Sequence, residues 1–241
     1  MAQTLLSEAL ERYKCGIMDN KVFGFDFTKA WEYENGFNIT SHPSRFAKLI
    51  SHWEIYKRIV DIPGVIVECG VFKGSSLIRF ATFREMLESP YSRKIIGFDA
   101  FGKFPCQELE SDIKYVEYFE KMCGNGIGKS DLQKVFKRKS FVNIELIEGN
   151  ILDMLKIYFD KNPQLKIALL HIDVDVYEAT KYCLEFLYSK VVCGGIVLLD
   201  DYSTANAGAT RAIDEFFDTN NNNIQIHKNP FYQSPCYIIK K

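Results

Sequence analysis

Apolar and polar positions along the 241-residue chain fall into two regimes. From residue 63 onward, short apolar runs alternate with stretches of helical period. Val65–Cys69, Lys94–Phe98, Asn143–Ile147, Lys166–Ile172 and Ile196–Leu199 are rich in aliphatic residues and end near Gly, Asn or Asp. Runs of this length predict strands buried on both faces. Ser75–Leu87, Asp131–Lys137, Ile151–Phe159, Tyr177–Ser189 and a segment from about Ala207 to Phe217 carry a helical repeat of apolar residues, with Ser130 placed to cap the second. This βα alternation predicts an α/β fold with a doubly wound, mostly parallel sheet. The tail, Ile224–His227 and Cys236–Lys240 with Pro230 and Pro235 between them, predicts a C-terminal antiparallel hairpin that brings the sheet to seven strands. Asn220–Asn223 reads as a turn.

The first 62 residues follow a different pattern. Residues 3–18 predict an amphipathic helix, residues 20–43 an irregular, aromatic-rich segment, and residues 44–60 a second helix capped by Ser44 and ended by Pro63-Gly64. The expected organisation is one domain over residues 1–241: an N-terminal helical or lid arm (1–62) on an α/β core (63–241). Residues 100–129 form a long connection with Gly102, Pro105, Gly124, Gly126 and Gly128, and connections of that length usually serve function or are disordered.

The chemistry sits at the ends of the predicted strands. Asp173 and Asp175 follow the fourth strand, and Asp200 and Asp201 the fifth. Open α/β sheets bind ligands at the carboxyl ends of their strands, so these acids should share a crevice. Carboxylates gathered there repel one another unless a cation sits among them, and a hard divalent ion is the usual solution. After the first strand comes Glu68-Cys-Gly70-Val-Phe-Lys-Gly74-Ser75-Ser76, a glycine loop that opens a helix. Gly70 permits a tight turn and Gly74 a close approach to the helix start. Ser75 and Ser76 offer donors to a carboxylate or phosphate, and Glu68 could fix an ammonium group. Asp99 ends the second strand, where an acid commonly grips a ribose diol. The spacing is not the Gly-x-Gly-x-x-Gly of dinucleotide binders.

Bulk properties narrow the class. The chain is 47% hydrophobic with a net charge of −1, which gives no general attraction to nucleic acid or anionic membranes. No apolar run is long enough to span a bilayer. Met1–Asp19 lacks the basic start and apolar centre of a secretory leader. The seven cysteines (15, 69, 106, 123, 183, 193 and 236) are odd in number and without metal spacing. They read as free thiols of a reducing compartment, so a cytoplasmic protein is expected.

Beyond these residue-level readings, the chain resembles the class I S-adenosylmethionine-dependent O-methyltransferases, and within them the macrocin O-methyltransferase group that methylates sugar hydroxyls. The resemblance is carried by Pro63 to Gly74, by Phe98-Asp99-Ala100-Phe101-Gly102-Lys103-Phe104-Pro105, by Asp173 to Thr180, by Gly194-Gly195 to Asp200-Asp201-Tyr202, and by Arg211-Ala212-Ile213-Asp214. It implies that Glu68, Gly70 and Ser75, with Gly74, hold the methionine part of S-adenosyl-L-methionine. It implies that Asp99, with Phe101, holds the ribose, that Gly149 and Asn150 lie near the adenine, and that Mg²⁺ is bound by Asp173, Asp200 and Asp201. Asn150 stands where the family usually has an aromatic residue, Ala100 and Ala179 where it tends to have Ser, and Lys103 where it tends to have Glu.

The chemistry implied is in-line methyl transfer to a hydroxyl, with a cation to lower the hydroxyl pKa and Asp173 as ligand and proton acceptor. His171 is open to two readings, a contact to the cofactor or proton, or a core residue. His227 is either a base presented by the tail or a surface residue. Arg211 either holds a phosphate or pairs with Asp214. Trp31, Tyr33, Phe37 and the 100–129 connection either close over the acceptor or simply pack, and the aromatic arm would also suit a homodimer contact. His42 and His52 read as surface or packing residues. The partner expected is a small sugar or glycoside acceptor, free or nucleotide-linked. A catechol or other vicinal diol, a nicotinamide-dependent oxidation, and a non-catalytic scaffold are the alternatives.

Overall fold

The computed structural model describes residues 21–203, 208–219, 224–231 and 234–241. The helix expected over residues 3–18, the turn Asn220–Asn223 and the position Ala207 lie outside them. In chain order the elements are β1 (Lys21–Val22), β2 (Phe25–Asp26), α1 (Ala30–Thr40), α2 (Pro43–Ile59), β3 (Val65–Cys69), α3 (Ser75–Leu87), β4 (Ile95–Asp99) and α4 (Glu110–Cys123). Then follow α5 (Lys129–Arg138), β5 (Ile144–Glu148), α6 (Ile151–Lys161), β6 (Ile167–Ile172), α7 (Tyr177–Leu187), β7 (Val191–Leu199), α8 (Ala209–Thr219), β8 (His227–Lys228) and β9 (Cys236–Ile239).

The main sheet has seven strands in the order β5-β4-β3-β6-β7-β9-β8. The first five run parallel and the tail strands antiparallel. Every residue of β3 and β6 is buried, because helices cover both faces. Alternation divides the strands between two cores. Ile66, Leu169 and Leu198 face α2 and α3 with Tyr56 and Phe80, whereas Val67, Leu170 and Val197 face Leu155, Leu184 and Ile213 of α6, α7 and α8.

Register places the site. Cys69 pairs with Ile172 and Ile172 with Leu199, so the three central strands end at one level. The backbone ladder runs one step further: Gly149 N–H donates to Asp99, Gly70 to Phe98, Asp173 to Cys69 and Asp200 to Ile172, all within 2.8–3.0 Å. Gly149, Asp99, Gly70, Asp173 and Asp200 thus lie along one edge. Strand order reverses direction between β3 and β6, which opens a crevice there. Gly70 sits at its closest point: a Cβ on it would lie 1.8 Å from the Asp173 carbonyl oxygen, and its φ is +89°.

Four expectations need correction. Residues 20–43 are not irregular but hold the β1–β2 hairpin and α1. The 100–129 connection contains a 14-residue helix, α4. His42, not Ser44, caps α2, its ring accepting from the Ser44 N–H, and Gly128 rather than Ser130 precedes α5. The described cysteines are free thiols. No described helix is long and apolar enough to cross a membrane.

Candidate active site

A cavity of about 620 Å³ opens at this strand edge. Gly70, Ser75, Asp99, Gly149 and Asn150 line one side, and Asp173, Asp175, Asp200 and Asp201 the other. Sequence reasoning placed these nine together. Five other residues assigned to the site, Glu68, Gly74, Phe101, His171 and His227, do not line the cavity among the described residues.

Each of the five has a local reason. Glu68 is fully buried under the first turn of α3, where its Oε1 accepts from the Ser76 hydroxyl. Burial pushes its pKa up to about 7. Gly74 precedes α3 with φ +78°, and a Cβ there would meet Leu132 at 2.7 Å, so it serves the turn and helix packing rather than a ligand. Phe101 has φ +52° and turns its ring into the core. His171 is fully buried between acids: 3.8 Å from Glu68 Oε1, 3.5 Å from Asp200 Oδ1 and 3.9 Å from Asp173 Oδ2. His227 lies on the outermost strand, its ring stacked on Tyr237. The structure does not bring it to the acids.

Asp99 is already engaged. Its Oδ2 accepts from the N–H groups of Val71 and Phe72 at 2.7 and 2.9 Å, and its Oδ1 from that of Phe101 at 2.6 Å. It fastens the glycine loop to the next strand's exit. The carboxylate still faces the cavity.

The acids divide into two groups. Asp173, Asp175 and Asp201 present carboxylate oxygens within 4.8 Å of one another. Burial pushes all three above the usual carboxylate range, and the neighbouring acids push them further. Asp200 behaves oppositely. Lys48 of α2 reaches its Oδ2 at 2.6 Å, and His171 and His52 face its Oδ1. Against the cost of burial, Lys48 and His171 hold Asp200 well below its ordinary value. Burial alone would lower Lys48, but Asp173 and Asp200 outweigh it and hold the ammonium above its usual range. Among the described residues, Lys48 is the ammonium in direct contact with these acids, and it reaches Asp200 and Asp173 but not Asp175 or Asp201. The oxygen donors of Asp173, Asp175 and Asp201 fit a hard divalent cation such as Mg²⁺.

Sequence reasoning missed Lys48, His52 and Tyr115. His52 takes the packing alternative of its two readings, fully buried against Phe80 and His171, and neither of its ring nitrogens has a hydrogen-bond partner among the described residues. Tyr115 of α4 donates its hydroxyl to Asp175 Oδ1 at 2.6 Å, and Asp112 of the same helix accepts from the Tyr177 N–H at 2.8 Å. The connection is thus a wall of the cavity, with Phe104, Tyr115 and Phe119 on its lining. The aromatic arm is not: Trp31 is 65% exposed and Phe37 packs on Phe46. Arg211 pairs with Glu215 at 2.7 Å rather than with Asp214, and stacks on Tyr177.

The sequence profile of the macrocin O-methyltransferase (TylF) family matches residues 45–229, which contain every acid of the crevice and the glycine loop. The chain belongs to this family. Among relatives of the TylF-family chain is an 8-demethyl-8-(2,3-dimethoxy-α-L-rhamnosyl)-tetracenomycin-C 4′-O-methyltransferase of Streptomyces olivaceus, 29% identical over 147 residues. That match covers 59% of this chain and 54% of the relative. A demethyldecarbamoylnovobiocin O-methyltransferase of Streptomyces niveus is 29% identical over 185 residues, 71% of this chain and 66% of the relative. The matches thus span only about half to two thirds of those relatives' own length. Among solved structures, the calicheamicin methyltransferase CalS11 superposes with a TM-score of 0.64 at 23% identity, covering 98% of this chain and 91% of that one. The O-methyltransferase NovP superposes at 0.70 with 20% identity, covering 81% and 80%. These two likenesses establish the class I methyltransferase fold.

Proposed function

We propose that this TylF-family chain transfers a methyl group from S-adenosylmethionine to a hydroxyl of a sugar, in a glycoside or a nucleotide-linked sugar, with Mg²⁺ as its metal. The observation that carries the reading is one cavity with two differently equipped walls. The glycine loop, Asp99, Gly149 and Asn150 form a wall suited to a nucleoside, and the carboxylates of β6 and β7 form a wall suited to a hard cation. The cavity volume is within the range of small-ligand sites. Both curated relatives carry names of O-methyltransferases, one acting at the 4′ position of a rhamnosyl compound.

S-adenosylmethionine would lie along the first wall, its methionine end toward Ser75 and its nucleoside toward Asp99 and Asn150. Asp173 and Asp201 are assigned as metal ligands. Asp175 completes the set in the arrangement seen, because Lys48 engages Asp200. Bound there, Mg²⁺ would lower the pKa of a sugar hydroxyl and orient it. The protein's own residues supply the rest. Asp173 receives the hydroxyl proton, with the His171 ring 3.9 Å behind it. Lys48 keeps Asp200 ionised, and Tyr115 orients Asp175. Phe104 and Phe119 of the connection exclude water.

The direct test offers the purified protein isotopically labelled S-adenosylmethionine with nucleotide-linked sugars, simple glycosides and a catechol, with Mg²⁺ and with a chelator. Labelled sugar that disappears on chelation supports the reading. Label in the catechol alone refutes the sugar assignment, and transfer indifferent to chelation refutes the metal.

A further inference from the structure

The cavity lining also carries two cations that the methyl-transfer reading leaves unused. Arg45 lies in the first turn of α2 and Arg79 one turn beyond Ser75 on α3, and both side chains line the cavity. Lys48, one turn beyond Arg45 on the same face of α2, is spent on Asp200. The two arginines are not spent. Neither makes an ion pair or hydrogen bond among the described residues.

The chain's other buried arginines show what satisfaction looks like. Arg84 donates to the carbonyls of Val142, Asn143 and Arg93. Arg93 holds Glu88 with both arms of its fork and donates to the carbonyls of Ile59 and Val60. Arg79 is half-buried without such partners. Burial lowers its pKa and the Arg45 charge lowers it further, while Asp200 and Glu68 act only from a distance. Two neighbouring guanidiniums in a partly dry wall are costly unless an anion joins them. Each offers a planar fork of N–H donors that matches a carboxylate or phosphate in two-point geometry. The α3 N-terminus, with Ser75 exposed at its start, adds its dipole to the same region.

We propose that Arg45 and Arg79 form an anion-binding subsite of the cavity, which takes a carboxylate or phosphate group of the bound ligand. The proposal rests on the methyl-transfer reading of the cavity. Two ligands could bring such a group: the methyl donor, through its amino-acid carboxylate, or a nucleotide-linked acceptor, through its diphosphate. Hydroxyls meet the acids of β6 and β7, and the acidic end of the ligand meets α2 and α3.

Calorimetric titration separates the sources. The probes are S-adenosylhomocysteine, 5′-methylthioadenosine (the same nucleoside without the amino-acid end) and thymidine diphosphate, each on wild type, Arg45→Gln, Arg79→Gln and the double variant. A loss of about tenfold or more in S-adenosylhomocysteine affinity, with methylthioadenosine unchanged, assigns the subsite to the donor carboxylate. The same loss for thymidine diphosphate alone assigns it to the acceptor. Arg79→Lys should retain part of the lost affinity, and unchanged thermal unfolding of the variants would exclude a folding defect. Both anionic ligands binding the double variant within about twofold of wild type would overturn the subsite while leaving the methyl-transfer reading intact. Wild-type protein that binds none of the three would overturn both.

Discussion

Asp99→Ala removes an acceptor that serves three backbone donors at once, the N–H groups of Val71, Phe72 and Phe101 at 2.7, 2.9 and 2.6 Å. Two of the donors belong to non-glycine residues with φ near +50°, Phe72 and Phe101. Such backbone costs about 1–2 kcal/mol per residue and persists only where neighbours hold it. A hydrogen bond to a charged acceptor contributes about 1.5–3 kcal/mol. Asp99 is half-buried, so water replaces part of that in the variant, and the loop recovers part of its strain. A net loss of about 3–4 kcal/mol is expected, a large share of the roughly 5–15 kcal/mol that holds a typical domain together. Urea unfolding followed by circular dichroism at neutral pH measures it, with Asp99→Asn expected to lose about half as much because one acceptor oxygen remains. Affinity for S-adenosylhomocysteine should fall in parallel, since the same loop lines the cavity. A variant within about 1 kcal/mol of wild type would refute the clamp and return Asp99 to the role of a free ligand group.

Glu68→Gln should change the pH dependence of stability. Burial raises the Glu68 pKa from 4.5 to about 7, so the folded chain keeps a proton that the unfolded chain releases, and stability falls as pH rises between those values. The variant should therefore gain on the order of 3 kcal/mol relative to wild type between pH 4.5 and pH 8 in urea titrations, and an unchanged difference across that window would contradict it. Gly70→Ala should destabilise by roughly 3–5 kcal/mol, because its Cβ would strike the Asp173 carbonyl at 1.8 Å in a left-handed backbone; a thermal midpoint near wild type would show that β3 and β6 part easily. Asp175→Asn should weaken Mn²⁺ binding, read by electron paramagnetic resonance, more than Asp200→Asn does. The reverse order would mean that Asp200 leaves Lys48 to bind the ion.

The strands were legible because burial on both faces leaves unbroken aliphatic runs such as Ile167–Leu170, and their ends were legible because acids and glycines cannot continue such a run. Parallel pairing then levels those ends, which is why Gly70, Asp99, Asp173 and Asp200 could be placed on one edge from sequence alone. Helix α4 was hidden because it is mostly exposed and lies in a connection punctuated by Gly102, Pro105 and Gly124, whose breaker signals outweigh its apolar spacing. Lys48 could not be linked to Asp200, since a separation of 152 positions leaves no spacing to read. Side-chain direction was the other blind spot. Glu68 and His171 occupy adjacent register positions at the crevice floor, yet both turn beneath the cavity into the core. Phe101, beside Asp99 in the motif, likewise turns inward and leaves only its N–H to the site.

The central claim, that the glycine-loop wall holds a sulfonium nucleoside beside an acidic crevice, meets its most direct test in calorimetric titration of the purified chain with S-adenosylhomocysteine and then with NAD. Micromolar binding of the first and none of the second is the predicted result. NAD binding, or no binding of S-adenosylhomocysteine under conditions where the protein is folded, would contradict it.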